Sequence, residues 1–215
     1  MSGPEVACLP NGQFEENCYL LMDRQAGQAV IVDPGEEEEL FLEALRKEGL
    51  RLAAIWLTHG HVDHIMGVRR LKQETGAPIY LHPDDRELYD GLPGQGRWMG
   101  IALQVPPPPD HPLTEGQVLH FGGQDFTVRH TPGHSRGSVT FVADGYVLGG
   151  DVLFSGSIGR TDLPGGDFAT LMQSLQRVFL TLPDSTRVLC GHGPETTIGV
   201  ERLTNPFQTG AYRHE

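Results

Sequence analysis

The sequence predicts an α/β protein that folds as a four-layer αββα sandwich, with two sheets face to face and helices on both outer surfaces. Three observations lead to this prediction. Short apolar runs that end in turn residues alternate with amphipathic segments in the first half of the 215-residue chain. The second half is rich in alternating, strand-like segments and also holds a long amphipathic segment. A stiff proline-rich stretch, VPPPPD at 105–110, separates the two halves.

The first half is predicted to interleave strands and helices. CYLLMD, AVIVDPG, LAAIWLTH and PIYLH are short apolar runs with the character of strands. EEELFLEALRKEG carries its apolar residues on one face, begins with acids and ends at Gly49, which predicts an amphipathic helix. HIMGVRRLKQETG and PDDRELYDGL are predicted to be helical as well. GLPGQGRWMGIALQVPPPP is expected to be either a mobile lid that carries Trp98 and Met99 over a site or a spacer between the halves.

The second half is predicted to be mostly β-structure. VLHFGGQDFTVRHTPGH, SVTFVADG and YVLGGD alternate in polarity and are separated by turn residues. DFATLMQSLQRVFLTLP follows with apolar residues along one face, and Asp167 is placed to cap that helix. TRVLCGHG supplies the last strand, in which we expect Cys190 to be a small buried residue.

Composition and charge favour one cytoplasmic globular domain spanning residues 1–215. The formal charge is −12 and the 16 Lys and Arg form no block, which makes nucleic acid a poor candidate for a partner. No run approaches the roughly 18 apolar residues of a membrane span. The three cysteines lack CxxC spacing and the N-terminal segment lacks the features of a secretory signal, so reduced thiols in the cytosol are expected. The sequence does not indicate an oligomeric state.

Four metal-ligating side chains are concentrated in the stretch LTHGHVDHIMG at 57–67. His59 and His61 are two positions apart, so in extended backbone both side chains leave on the same side and can bind one ion. Asp63 and His64 follow where the chain turns toward a helix, and they could reach a second ion. A single histidine at a strand end is usually an ordinary polar residue. Three histidines and an aspartate within six positions are costly to bring together unless they share the charge of a metal ion.

This stretch matches H-x-H-x-D-H, the signature of the metallo-β-lactamase superfamily, and TPGH, LGGD and CGHG follow in the order that superfamily shows. The resemblance covers nearly the whole chain, from VIVDPG to GHGPETTIG. It is closest to the short glyoxalase II-like hydrolases, to which GSIGRTDLPGGD and ERLTNPF are similar. It implies the metallo-β-lactamase fold. It also implies that His59, His61 and His134 hold one ion, that Asp63, His64 and His192 hold another, and that Asp151 bridges the two.

The resemblance further implies a hydrolase with two divalent ions. Nitrogen and oxygen ligands suit zinc best and tolerate iron or manganese. A water shared by two such ions becomes a hydroxide nucleophile near neutral pH, and the ions stabilise the oxyanion that forms. Asp63 is predicted to orient this hydroxide and to pass a proton to the leaving group. The expected substrate is a small-molecule thioester such as a hydroxyacylglutathione, with no role for nucleic acid or membrane.

Arg160, in the segment GSIGRTD, is predicted to bind a carboxylate of the substrate. A pair with Asp162 that braces the loop is an equally good interpretation, because short-range Arg–Asp pairs are common in loops. The remaining histidines are expected to be ordinary polar residues: His82, His111, His120, His130 and His214.

Two other functions remain open. The residues GRTD also resemble the persulfide dioxygenases of the same superfamily, which implies iron-dependent oxidation of a glutathione persulfide at a single ion. The other alternative is a non-catalytic metal-binding interaction module on this fold. Loss of ligands would favour that module, and the sequence retains all seven.

Overall fold

The computed structural model describes residues 3–211, so His214 lies outside the described residues. Its first sheet has six strands: β1 (Glu5–Asn11), β2 (Glu16–Asp23), β3 (Gln28–Val32), β4 (Arg51–Trp56), β5 (Ile79–Leu81) and β6 (His111–Pro112). These strands lie in chain order across the sheet. β1, β2 and β3 pair antiparallel, and β3 to β6 run parallel. The parallel strands β3 and β4 therefore end at the same edge of the sheet.

The second sheet is built from the other half of the chain. Its strands are β7 (Val118–Phe121), β8 (Gln124–His130), β9 (Val139–Ala143), β10 (Tyr146–Gly150), β13 (Arg187–Cys190) and β14 (Thr196–Thr197), and β11 (Leu153–Phe154) and β12 (Ser157–Ile158) form a separate hairpin. The strand order is β14-β13-β10-β9-β8-β7. β10 and β13 run parallel, and all other neighbours are antiparallel.

The helices connect strands or follow them. They are α1 (Glu38–Glu48), α2 (Val62–Ile65), α3 (Val68–Thr75), α4 (Arg86–Asp90), α5 (Leu92–Trp98), α6 (Phe168–Arg177), α7 (Ile198–Thr204) and α8 (Pro206–Thr209), with 3-10 turns at Pro83–Asp85 and Phe179–Thr181. Gly49 ends α1 in the left-handed conformation, and the Asp167 carboxylate accepts a hydrogen bond from the Thr170 N–H at the start of α6, both as predicted. No helix within residues 3–211 is long and apolar enough to cross a membrane.

Alternation of side chains along the strands produces the four layers. Leu20 and Ile31 face the outer side of the first sheet and pack with Phe41 of α1. Their neighbours, including Leu21 and Val30, face the second sheet and form the apolar core between the sheets. The outer side of the second sheet packs against α6 and α7. Since successive residues of a strand point to opposite faces, one strand can serve two apolar layers. The predicted four-layer sandwich is confirmed.

Three details differ from the prediction. Strand β4 ends at Trp56, so His59 and His61 lie in the turn that follows the strand and not within it. Strand β6 comes after the proline-rich stretch and still pairs with β5, so the division between the two sheets falls after that stretch. Within 91–109 the chain forms helix α5. The sequence did not predict this helix, because Gly94 and Gly96 lower its helix propensity.

Candidate metal centre

Three histidines converge where β4 and β8 end. His59 and His61 lie between β4 and α2, His134 lies in the turn after β8, and all three are buried. We call these three residues the first triad. His134 Nε2 is 3.2 Å from His59 Nε2 and 2.8 Å from His61 Nδ1. The sequence-predicted ligands of the first ion are thus brought together.

A second group lies beside the first. Asp63 and His64 are on α2, and His192 follows β13. We call them the second triad. Asp63 Oδ2 lies 3.2 Å from His192 Nε2 and 3.9 Å from His64 Nε2. The segment before β2 and the segment after β13 meet here, because the backbone of His192 bridges to Glu16 and its Nδ1–H donates to the carbonyl of Phe14 over 3.0 Å.

Asp151, directly after β10, lies between the two triads. Its Oδ2 is 3.5 Å from both His134 Nε2 and His192 Nε2, and its Oδ1 is 3.4 Å from His64 Nε2. One carboxylate therefore faces a nitrogen of each triad. All seven residues predicted from the sequence form one cluster, which we call the seven-residue cluster.

The donor atoms of this cluster fit divalent cations. Thr58 donates its hydroxyl hydrogen to Asp33 over 2.5 Å, so its oxygen accepts from His59 Nδ1–H and leaves a lone pair on His59 Nε2. His134 Nδ1–H likewise donates to the Arg160 carbonyl over 2.8 Å, which leaves the lone pair of His134 Nε2 free to accept. These two acceptor atoms are 3.2 Å apart, close to the roughly 3.3 Å between nitrogens bound tetrahedrally to one zinc ion.

Three further buried atoms of the cluster lack a hydrogen-bond partner among the described residues. They are His61 Nε2, His64 Nε2 and Asp151 Oδ1. A buried polar atom without a partner costs free energy, and His64 Nε2 and Asp151 Oδ1 lie 3.4 Å apart between the triads. A bound cation would satisfy them together.

Charge states within the cluster differ between the triads. Burial lowers the pKa of His59 well below its usual value, and burial together with His134 lowers the pKa of His61 to about 3. Burial alone would lower the pKa of His64 too, but the Asp151 and Asp63 carboxylates outweigh it and raise this pKa well above 6.5. Neutral imidazoles are the form that binds metal.

Asp33 supports both triads, and the sequence reasoning did not identify it. It is buried at the end of β3, and its Oδ1 accepts from the Thr58 N–H over 2.7 Å. Its Oδ2 accepts from the Thr58 hydroxyl and from His64 Nδ1–H, the latter over 3.1 Å. Fixing the outer ring nitrogen orients the inner one toward a metal. An acid at the carboxyl end of a buried strand was the available signal.

Asp85 is a second residue that sequence reasoning missed. Its buried carboxylate accepts hydrogen bonds from the N–H of Gly60 (2.8 Å), the N–H of Gly137 (2.6 Å) and the hydroxyl of Ser135 (2.7 Å). One side chain thus ties the turn of His59 and His61 to the turn of His134. No local pattern in PDDRELYDGL indicates this role.

A cavity of about 740 Å³ opens above the seven-residue cluster. His61, Asp63 and His192 lie at its base, and Trp98 and Met99 of the α5 region line its side, as the lid interpretation required. Helix α5 is tied to the cluster because Gln95 accepts from the Val62 N–H and donates to the Gly60 carbonyl, each over 3.0 Å.

Arg160 also lines this cavity, and its guanidinium is paired. Nε and Nη2 donate to the two carboxylate oxygens of Asp162 over 2.7 and 2.8 Å. The loop-bracing pair considered from the sequence is therefore present, while contact between Arg160 and a substrate stays a prediction.

The other predicted features are placed as follows. Cys190 is fully buried in β13, as expected for a small strand residue. The rings of His82 and His130 stack, with centroids 4.1 Å apart and planes 9° from parallel. The nitrogen lone pairs of the two rings lie in these nearly parallel planes, so they do not converge on one metal position. His111 and His120 lie on strands away from the cluster.

Comparison with known proteins agrees with this geometry. Residues 11–192 match the metallo-β-lactamase superfamily. The hydroxyacylglutathione hydrolase GloC of Haemophilus influenzae is 37% identical over 206 residues, which cover 94% of this chain and 97% of GloC. The chain therefore belongs to the metallo-β-lactamase superfamily and is a metal-dependent hydrolase of that superfamily.

Two solved structures are also similar to this chain over nearly its whole length. The B3 metallo-β-lactamase BLEG-1 is 42% identical, with a TM-score of 0.89 over 96% of this chain and 100% of its own. TTHA1623, solved in a di-iron-bound form, is 45% identical, with a TM-score of 0.86 over 94% of this chain and 100% of its own. The chain is thus similar to a hydroxyacylglutathione hydrolase, to a B3 metallo-β-lactamase and to a protein solved in a di-iron-bound form.

Proposed function

We propose that this chain hydrolyses a thioester of the hydroxyacylglutathione kind, with two divalent ions, zinc in the first instance, in the seven-residue cluster. One observation carries the proposal. Two complete triads share the Asp151 carboxylate at the base of an open cavity. The 37% identity to GloC over nearly the whole of both chains supports a glutathione thioester as the substrate.

The first triad and the second triad would each hold one ion, with Asp151 between them. Ions bound there would polarise the thioester carbonyl. They would also lower the pKa of a water molecule, so that near neutral pH it could attack the carbonyl as hydroxide. The chain's residues supply the remaining functions. The buried bonds from Asp33 and Asp85 fix the ligand turns, so the ligands need little rearrangement before reaction.

Asp63 is the proposed proton carrier. Its carboxylate is at the base of the cavity, next to His192. Burial would raise its pKa, but the charge of His64 outweighs burial and the pKa lies below 3.8. A carboxylate that is deprotonated at neutral pH can orient an attacking water, accept a proton and return it to the departing thiolate.

The test combines metal content with activity. Protein purified without added metal should contain about two ions per chain, and it should release thiol from a hydroxyacyl thioester of glutathione. Zinc, iron and manganese should each be quantified, because the similar protein TTHA1623 was solved with iron. Two ions without thiol release from any thioester would contradict the proposed substrate while leaving the metal site intact.

The same experiment separates the two alternatives. A single iron, with oxygen uptake that depends on glutathione persulfide, would indicate a persulfide dioxygenase. The second triad supplies a second set of converging donor atoms, which supports two ions over one. A folded chain without metal and without activity toward any thioester would indicate the interaction module.

A further inference from the structure

The cavity above the seven-residue cluster continues into a second one. The adjoining cavity, of about 460 Å³, extends past Gly133 to Thr170 of α6. Asp84, Arg136 and Gly165 line both cavities. These residues therefore lie where a groove leads away from the metal centre. An elongated substrate whose reacting carbonyl is at the cluster would pass them.

Arg136 is the cation of this groove that has no carboxylate partner. Within the part of the chain that the structure describes, no carboxylate oxygen lies within 4.0 Å of its guanidinium, whereas Arg160 donates twice to Asp162. Its side chain runs beside Gly165, where an added Cβ would be 3.5 Å from Arg136 Cγ. The stem of Arg136 is thus supported while its charged end is left to bind an anion.

Asp84 is an exposed anion of the same groove. Its nearest cationic candidate is His82, whose Nδ1 is 3.9 Å from Asp84 Oδ2. Burial and His130 lower the pKa of His82 below 6.5, so the ring is uncharged at neutral pH. Among residues 3–211, no lysine or arginine lies within 4.0 Å of the Asp84 carboxylate. Asp84 therefore remains available to bind a cation.

One buried hydrogen bond fixes the relative position of these two charges. Asp85, next to Asp84, accepts from the N–H of Gly137, next to Arg136, over 2.6 Å. A Cβ on Gly137 would lie 2.5 Å from the Asp85 backbone nitrogen, so the two segments are in close contact. The two backbone segments that carry the opposite charges are thus held together before a ligand binds.

We propose that Arg136 and Asp84 bind the α-carboxylate and the α-ammonium group of the amino-acid end of a peptide thiol. This inference rests on the proposed thioesterase function and specifies its substrate as a zwitterionic peptide thioester. A coenzyme A thioester is disfavoured, because its phosphates would approach Asp84 and Glu87 on a chain with a formal charge of −12. Glutathione provides the matching pair of charges.

The test compares thioesters that differ only in these charges. The substrates carry one hydroxyacyl group on glutathione, on N-acetylglutathione, on coenzyme A or on the uncharged thiol N-acetylcysteamine. Losing one charge-assisted contact should raise KM roughly ten- to hundredfold. R136A should show this rise with the glutathione thioester and little change with N-acetylcysteamine. D84N should show it with glutathione but not with N-acetylglutathione, which already lacks the ammonium group.

R97A is the matched control, since Arg97 is exposed, has no ion pair among the described residues and does not line the cavity. Its KM values should equal those of the unmodified chain.

Binding of the product glutathione to the metal-free protein, followed by calorimetry, gives a readout without turnover and should weaken in R136A and D84N only.

The outcomes separate the two levels of the proposal. If the unmodified chain hydrolyses thioesters but R136A changes KM equally for charged and uncharged thiols, the groove assignment is wrong and the thioesterase function stands. Preference for the coenzyme A thioester would also overturn it. If no thioester is hydrolysed, the proposed function fails, and equal glutathione binding by R136A and R97A would reject the groove as well.

Discussion

The carboxylate of Asp85 accepts a 2.8 Å hydrogen bond from the backbone N–H of Gly60, the residue between His59 and His61. The two partners are 25 positions apart in the chain. A buried carboxylate, and not a strand, therefore sets the conformation of the turn that carries His59 and His61. A second bond from the same carboxylate reaches Gly137, beyond His134.

Replacing Asp85 by Asn should weaken folding and metal binding together. The amide keeps the size of the side chain but turns one acceptor into a donor, which leaves a buried N–H without an acceptor. The expected loss is about 1–3 kcal/mol in the free energy of unfolding, measured with urea. Asp144→Asn, at an exposed position, is the control and should leave stability and metal content unchanged. Equal stability of both variants would show that Asp85 does not support the ligand turns.

Asp151→Asn removes the charge that both triads face and leaves the volume almost unchanged. We expect loss of metal or a much slower hydrolysis, because an amide is a weaker metal ligand and cannot balance two cations. Metal content by mass spectrometry and the hydrolytic rate provide the measurement. Unchanged values for both would rule out a bridging role for this residue.

The two triads should be separable by mutation. Asp63→Ala or His192→Ala should lower the occupancy of one ion and spare the other, because His59, His61 and His134 remain. Metal content per chain, measured at increasing chelator concentration, reports the two occupancies. Parallel loss of both ions in either variant would show that the division into triads is incorrect.

Metal binding at neutral pH should release protons. The pKa of His64 is raised above 6.5, so its ring is protonated in the metal-free chain at pH 7. The ion pairs of this ring stabilise the metal-free fold fully below pH 6.5, and this contribution is lost as pH rises through the raised pKa. A divalent ion must displace the proton, so His64 should release about one proton per chain, and His192, whose pKa the Asp63 and Asp151 carboxylates also raise, should add to this release. Calorimetry in buffers of different ionisation enthalpy measures it, and a binding enthalpy independent of buffer would contradict the expectation.

Arg160 should contribute less to substrate binding than Arg136. Two of its N–H groups already bind Asp162, so a substrate carboxylate would have to compete with that pair, whereas the Arg136 guanidinium has no carboxylate beside it among the described residues. Arg160→Ala should leave metal content intact and raise KM for a glutathione thioester by a few-fold at most, roughly 1 kcal/mol or less. A rise as large as that expected for R136A would make Arg160 the main carboxylate contact.

The sequence was sufficient to predict the four layers and the residues of the seven-residue cluster, and insufficient to predict the contacts that hold these residues in place. Alternation along the strands predicts which face each residue occupies, and H-x-H-x-D-H puts four ligands within six positions. The contacts of Asp85 span 25 and 52 positions, and such contacts leave no periodic or local pattern. Arg136 was not identified from the sequence for the same reason, because only the folded chain shows which arginine has a carboxylate beside it.

The meeting of Phe14 and His192 has a consequence for biosynthesis. A ribosome makes the chain from its N-terminus, so the residues of the first triad leave the exit tunnel well before His192 does. The bond between the Phe14 carbonyl and His192 joins residues 178 positions apart, so it forms only after His192 has emerged. The residues of the second triad are therefore all available only after those of the first triad have been made.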